Sequence, residues 1–138
     1  MLRLDASLKD VKMDDFVDYF MNPPPSQQAM IKEMRTLEEI DENTKIVYWR
    51  FKMPMMSERD NVISLHKRKL DDGSVYFCVK TVERADTPEV KGIVRMFLYT
   101  RGLMKPNPED PSAIDYTELS FFNMKGYFPA RLMNMVIA

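Results

Sequence analysis

Residues 61–82 read NVISLHKRKLDDGSVYFCVKTV, two alternating runs joined by Asp71-Asp72-Gly73. Alternation of apolar and polar residues marks a strand with one buried face. A short Asp/Gly loop between two such runs marks a hairpin, with Gly73 free to take the positive φ that tight connections need. If Leu70 opposes Ser74, then Leu65 faces Val79, Ile63 faces Thr81 and Lys67 faces Phe77 on one side of the sheet. Ser64 with Lys80, His66 with Cys78 and Arg68 with Tyr76 take the other side. The first side is the apolar one, so Ile63, Leu65, Phe77 and Val79 are expected to point inward. A slip of one residue would reverse every assignment.

The same period of two extends in both directions. TKIVYWRFK (44–52) is a strand whose Val47, Trp49 and Phe51 continue the inward face. ERADTPEVK (83–91) is a polar, proline-containing loop. GIVRMFLYTRGLM (92–104) is a strand with an expected break near Gly102, and IDYTELSFFNM (114–124) is another. Upstream, LRLDASL (2–8) alternates strictly, with Leu2, Leu4, Ala6 and Leu8 on one face. MDDFVDYFMN (13–22) then places Phe16, Val17, Tyr19 and Phe20 at helical spacing and is stopped by Asn22-Pro23-Pro24-Pro25. SQQAMIKEMRTLEEID (26–41) opens on Ser26, a good N-cap, and sets Ala29, Met30, Met34, Leu37 and Ile40 along one stripe, which predicts a second helix. Beyond Gly126 and Pro129, ARLMNMVIA (130–138) reads as the first turns of a helix. The order of strand, short helix pair, antiparallel strands and helix is that of a single α+β domain.

Composition narrows the function. Of 138 residues, 45% are apolar and 30% charged, an ordinary globular balance. The net charge of −1 carries no broad electrostatic footprint for nucleic acid. The basic run HKRK at 66–69 reads as the solvated face of a strand. One cysteine, Cys78, excludes an intramolecular disulfide and fits a reducing compartment such as the cytoplasm. No stretch is apolar for the roughly 18 residues that a spanning helix needs. The first residues lack the basic and apolar signal pattern. Thirteen methionines suit either adaptable pocket walls or irregular core packing. His66 beside Cys78 has the form of a base and a nucleophile but falls on the outer face with no third orienting group, so no enzymatic site is expected. No His/Cys cluster suggests a metal, and no cofactor is expected.

Four pieces of the chain together resemble the START domain of lipid-transfer proteins. They are VYWRFKMPMMSERDNVISL with its Arg59-Asp60 pair, TVERADTPEVKGIVRMF, the Lys125-Gly126…Pro129 segment, and the final helix that follows it. The resemblance implies a helix-grip fold, a curved antiparallel sheet closed on a C-terminal helix around a tunnel for one lipid or sterol. It implies a lipid ligand and transient contact with a membrane surface, without nucleic acid. Compared with the family, residues 2–8 match a strand that follows a helix and two further strands, and the closing helix is longer than the nine residues found here. The chain thus looks like the middle and later part of such a domain.

The resemblance also names residues. Phosphatidylcholine-carrying members place an arginine at the Arg59 motif near the lipid phosphate, a role suited to a guanidinium fork. The alternative for Arg59 is a pair with a carboxylate such as Asp60 or Glu58. Sterol carriers place an acid and a base at positions matched here by Trp49 and Leu65, both apolar, which favours an acyl cargo over a sterol. The expected lipid-binding set is Val47, Trp49, Phe51, Arg59, Ile63, Leu65, Phe77, Val79, Arg95 and Phe97. If Arg95 points inward, Glu118 or Asp115 is its expected partner. The 83–91 loop is a candidate gate.

Overall fold

A computed structural model describes residues 1–22, 30–127, 129 and 130. Its strands are β1 (Leu2–Lys9), β2 (Ile31–Asp41), β3 (Thr44–Phe51), β4 (Arg59–Lys69), β5 (Val75–Thr81), β6 (Val94–Arg95), β7 (Phe97–Pro106) and β8 (Ala113–Asn123), with helix α1 (Met13–Met21) after β1. The sheet runs β1-β8-β7-β5-β4-β3-β2, each neighbour antiparallel, and β6 adds a short parallel pairing to β4.

The β4–β5 hairpin has the expected register: Leu65 opposes Val79, Ile63 opposes Thr81, His66 opposes Cys78 and Lys67 opposes Phe77. The loop closes with Leu70 N–H donating to the Ser74 carbonyl at 2.8 Å, and Gly73 takes a φ of +81°. Ile63, Leu65, Phe77 and Val79 are all buried in one cluster with Val47, Val75, Met104, Ile114 and Tyr116. The face they share is called the concave face below.

Helix α1 lies across one end of that face. Asp14 and Asp15 in its first turn complement the positive end of the helix dipole. Val17 and Met21 are buried in the cluster, while Phe20 meets Phe77 at 4.4 Å and Phe16 meets Tyr116 edge-on at 5.5 Å. Phe77 also stacks on Tyr116, ring centroids 5.7 Å apart. Such ring pairs add stabilisation beyond their buried area. Gly102 makes room for them. A Cβ there would lie 2.4 Å from the Phe77 ring and 2.5 Å from the Thr117 carbonyl oxygen. The strand therefore runs unbroken through Gly102, and the interruption expected there falls at Met96, between β6 and β7.

Three further expectations are corrected. Residues 31–41, read as the body of a second helix, form strand β2. Its pairing with β3 carries register shifts between Ile31 and Glu33, between Thr36 and Glu38 and between Glu39 and Asp41. Each bulge adds a residue and flips the alternation, so Ile31 and Met34, three apart, oppose Phe51 and Trp49 on the same face. Bulges thus produced a helical spacing in a strand. The outer face is also less polar than the hairpin alone implied, because Ile46, Tyr48 and Val62 form a second buried cluster there with Leu37 and Val82. Finally, the 83–91 loop is fastened on that outer side. Arg84 bonds Glu38 and Asp86, and the Thr87 and Pro88 carbonyls accept from Arg95. It does not gate the concave face. The Ser26 cap and the helical turns read into 131–138 lie outside the described residues.

Candidate functional site

The concave face changes character along β3 and β4. The cross-strand pairs run Val47 with Ile63, Trp49 with Asn61, and Phe51 with Arg59. Away from α1, hydrocarbon gives way to polar side chains that stay buried. Ile63 is fully buried, Asn61 is 2% exposed and Arg59 is 2% exposed.

Arg59 ends this series. Its Nη1 donates to the Ser57 carbonyl at 2.7 Å, its Nη2 to the carbonyls of Lys125 at 2.9 Å and Tyr127 at 3.0 Å, and its Nε to that of Met124 at 3.3 Å. The 124–127 segment wraps the guanidinium because Lys125 and Gly126 both adopt positive φ, 47° and 65°. A Cβ on Gly126 would lie 3.3 Å from Arg59 Nη2. Burial holds the Arg59 pKa below its ordinary value, yet an arginine stays charged throughout the physiological range. The carboxylate partner expected from Asp60 or Glu58 is replaced by four carbonyls. Four of its five N–H groups are thus bonded to main-chain carbonyls, which fastens the 124–127 segment to the start of β4. Phe51, Met53, Met56 and Met124 pack together beside this latch.

Asn61 is oriented by a relay. The Leu98 N–H donates to Thr81 Oγ1 at 2.8 Å, and the Thr81 hydroxyl donates in turn to Asn61 Oδ1 at 2.9 Å. Because the Thr81 hydrogen needs an acceptor, the Asn61 amide has its oxygen towards Thr81 and its NH2 directed away. That Nδ2 is buried and has no hydrogen-bond partner among the described residues, and the same holds for the indole Nε1 of Trp49 opposite. Asn61 escaped the sequence reading, although its position shares the parity of Ile63 and Leu65, and a polar residue in an inward position is the signal that would have found it.

Arg95 and Phe97 lie away from the concave face. Arg95 forks onto Asp60, with Nε 2.7 Å from Oδ1 and Nη2 3.1 Å from Oδ2, on the outer face. Glu118 and Asp115 are not its partners. The Asp60 bonds hold the Arg95 pKa above its ordinary value. Tyr48 donates its hydroxyl to Asp60 Oδ2 at 3.1 Å, and its pKa is pushed up to about 12, first by burial and then by that carboxylate. Phe97 lies on the outer face, 38% exposed, edge-on to Phe121. Phe77 is concave-facing but covered by Phe20, so it serves the core under α1. His66 Nδ1 pairs with the Thr44 hydroxyl at 2.7 Å and makes no such bond to Cys78. Among the described residues no group of three or more metal-ligating side chains forms, and no helix is long and apolar enough to cross a membrane.

A curved antiparallel sheet, a helix gripping one end of it and an arginine latch at the other can now be set beside known proteins. The START domain family profile matches residues 1–138. The chain belongs to the START domain family. Solved START structures share the architecture at low identity. The human StarD13 (DLC2) lipid transfer and protein localization domain superposes with a TM-score of 0.78 at 16% identity, over 98% of this chain and 69% of that one. Human STARD10 gives 0.78 at 16% identity, over 97% of this chain and 56% of that one. A STAR-related lipid transfer protein fragment from Xanthomonas axonopodis gives 0.74 at 22% identity, over 98% of this chain and 76% of that one. This START chain thus spans between 56% and 76% of these three neighbours. No curated protein sequence matches it.

Proposed function

We propose that this START domain binds a single lipid against the concave face, beyond the end covered by α1, and carries it between membrane surfaces. The cargo we assign is a phospholipid such as phosphatidylcholine. The observation that carries this reading is the run of Val47, Ile63 and Val79 into Trp49 and Asn61, an inward face that begins as hydrocarbon and ends in buried donors. Membership in the family and the printed names of the structural neighbours support lipid as the ligand class.

The energetics set the design. A two-chain lipid has about thirty methylenes, and at ~0.8 kcal/mol each their exposure to water costs on the order of 20–25 kcal/mol. A carrier must replace the bilayer nearly evenly, since one that bound much more tightly would not release its cargo. Apolar wall with few polar contacts meets that condition. Trp49 and Leu65, at the positions where sterol carriers place an acid and a base, favour acyl chains. A second reading has one observation in its favour. Glu118 lies on the concave side of β8, bonded to Tyr116 and Ser120, and a carboxylate there suits a sterol hydroxyl. Neither reading assigns a chemical step or a catalytic residue.

Native mass spectrometry of the purified protein tests the proposal. A co-purified or added lipid bound one to one supports it, and a sterol adduct in place of a phospholipid selects the second reading. Transfer between donor and acceptor vesicles separates a carrier from a lipid sensor, which binds without moving its ligand. Failure to retain any lipid refutes both.

A further inference from the structure

Two buried hydrogen-bond donors on facing residues stand without acceptors among the described residues. Trp49 Nε1–H is on β3 and the Asn61 Nδ2 amide is opposite it on β4. An unmade bond on a buried polar atom costs more than an ordinary bond contributes, so such groups are nearly always paired. One would be an isolated cost. Here there are two, on directly opposed residues of one pair on the concave face, whose Cβ atoms stand about 4.5–5.5 Å apart in such ladders. The Leu98–Thr81–Asn61 relay fixes which end of the amide is left unpaired.

The chemistry of an occupant follows from what the place offers. Both groups are donors, and neither is charged. Arg59, two residues along β4, gives four of its five N–H groups to carbonyls, and Arg95 is held by Asp60 on the opposite face. Glu118 lies across β5 and β7, on β8. A phosphate would arrive without a counter-charge in a desolvated place. A hydroxyl oxygen could accept from both but would leave its own hydrogen without an acceptor. A neutral carbonyl oxygen has two lone pairs and nothing to donate, which matches two donors.

We propose that Trp49 Nε1–H and Asn61 Nδ2–H together hold an acyl-ester carbonyl oxygen of the bound lipid, anchoring the junction between chains and headgroup where the apolar face ends. This rests on the lipid-binding reading above and deepens it. The flanking Phe51, Met53, Met56 and Met124 cluster supplies adjustable apolar wall beside the anchor. On this account Arg59 acts on the protein's own 124–127 segment, and the ester, with no salt bridge to the phosphate, sets how deep the lipid sits.

The test compares dioleoyl phosphatidylcholine with its dialkyl ether analogue, which keeps the headgroup and chain length but lacks both carbonyls. Competition binding to the wild-type chain is expected to favour the ester by on the order of tenfold, from two neutral hydrogen bonds. Trp49→Phe and Asn61→Leu should each shrink that ratio severalfold, and the double variant should bring it near one. The protein has one tryptophan, so a single indole N–H signal reports the bond without any variant. It should move downfield with the ester lipid and stay with the ether. Equal affinities with an unmoved indole signal overturn the anchor, as a water held there permanently would produce. A ratio that persists in the double variant overturns it too. Binding of neither lipid is a different result, since it refutes lipid carriage itself and the anchor with it.

Discussion

Replacing Arg59 with methionine keeps much of the side-chain volume and removes every donor of the latch. In the wild type, four carbonyls, of Ser57, Met124, Lys125 and Tyr127, accept from one guanidinium. Hydrogen bonds to a charged group contribute roughly 1.5–3 kcal/mol each, or about 6–12 kcal/mol gross for the four. The variant also escapes the burial of the charge, which costs several kcal/mol. Exposed Tyr127 can pass its carbonyl to water. The net loss is then about 3–5 kcal/mol, the range seen when a buried charged group loses its setting. At about 2.1 cal/mol/K of unfolding entropy per residue, that is a fall in Tm of roughly 10–17 °C for a chain this long. Amide hydrogen exchange should localise the damage, with protection lost at 124–127 and kept in the β4–β5 hairpin. Arg59→Lys keeps the charge but offers a compact three-donor head in place of the planar fork, and should fall between the two. A methionine variant melting within about 3 °C of wild type, with 124–127 still protected, refutes the latch. A lysine variant that melts normally but loses phospholipid, while keeping neutral lipids, reinstates a phosphate contact for this arginine.

Gly102→Ala should cost about 2–3 kcal/mol by chemical denaturation, because a methyl there meets both the Phe77 ring and a backbone oxygen that has no freedom to retreat. A change under about 0.5 kcal/mol would show that the strand relaxes. Asp60→Asn should destabilise by about 3–5 kcal/mol by leaving Arg95 without its counter-charge, and Arg95→Met in the same chain should recover a large part of the loss. Additive effects in that cycle would deny the pairing. Tyr48 gives the pH dependence. Its folded pKa of about 12 lies above the ~10 of an unfolded tyrosine, so the protonated hydroxyl favours the fold. That contribution is complete below about pH 10 and is lost as pH rises through about 12. Tyr48→Phe should flatten the stability profile in that window, and an unchanged slope would place the alkaline loss elsewhere.

The hairpin was legible because every signal in it agreed. Asp71-Asp72-Gly73 set the loop, and once Leu70 met Ser74 the inward parity of Ile63, Leu65, Phe77 and Val79 followed from the pleat. Strand β2 was illegible for the converse reason. Three bulges break its period of two, and good helix formers such as Glu33, Met34, Leu37 and Glu38 fill it, so propensity and spacing agreed on the wrong answer. Pairing with Thr44–Phe51 outweighed both. Arg59 shows a different limit. The sequence reveals a charge at a strand end, but its acceptors are main-chain atoms of residues 57 and 124–127, and no side-chain pattern announces a carbonyl. Arg95 was read as one half of an ion pair, and its partner was misassigned because β6 runs parallel to β4, a pairing that an antiparallel frame does not suggest.

The two ends of the concave face divide the work by chemistry. Under α1 the face is closed by its own aromatic rings, Phe20 on Phe77 and Phe16 on Tyr116. Toward Arg59 it carries buried donors that the protein leaves unmatched. A stability argument alone predicts the reverse. An orphan donor is costly where it is most desolvated, and Asn61 is as buried as Leu65. Leucine at position 61 would remove that donor, at the expense of the acceptor for the Thr81 hydroxyl. The arrangement is stable only because Thr81 orients one end of the amide and Arg59 holds the neighbouring 124–127 segment against the rest of the domain. Strain kept in place by two independent supports is the usual mark of a site built for something other than the fold. Asn61→Leu removes one orphan donor but creates another at Thr81, so it is expected to leave the melting temperature of the empty protein within about 3 °C of wild type while lowering its preference for an ester lipid.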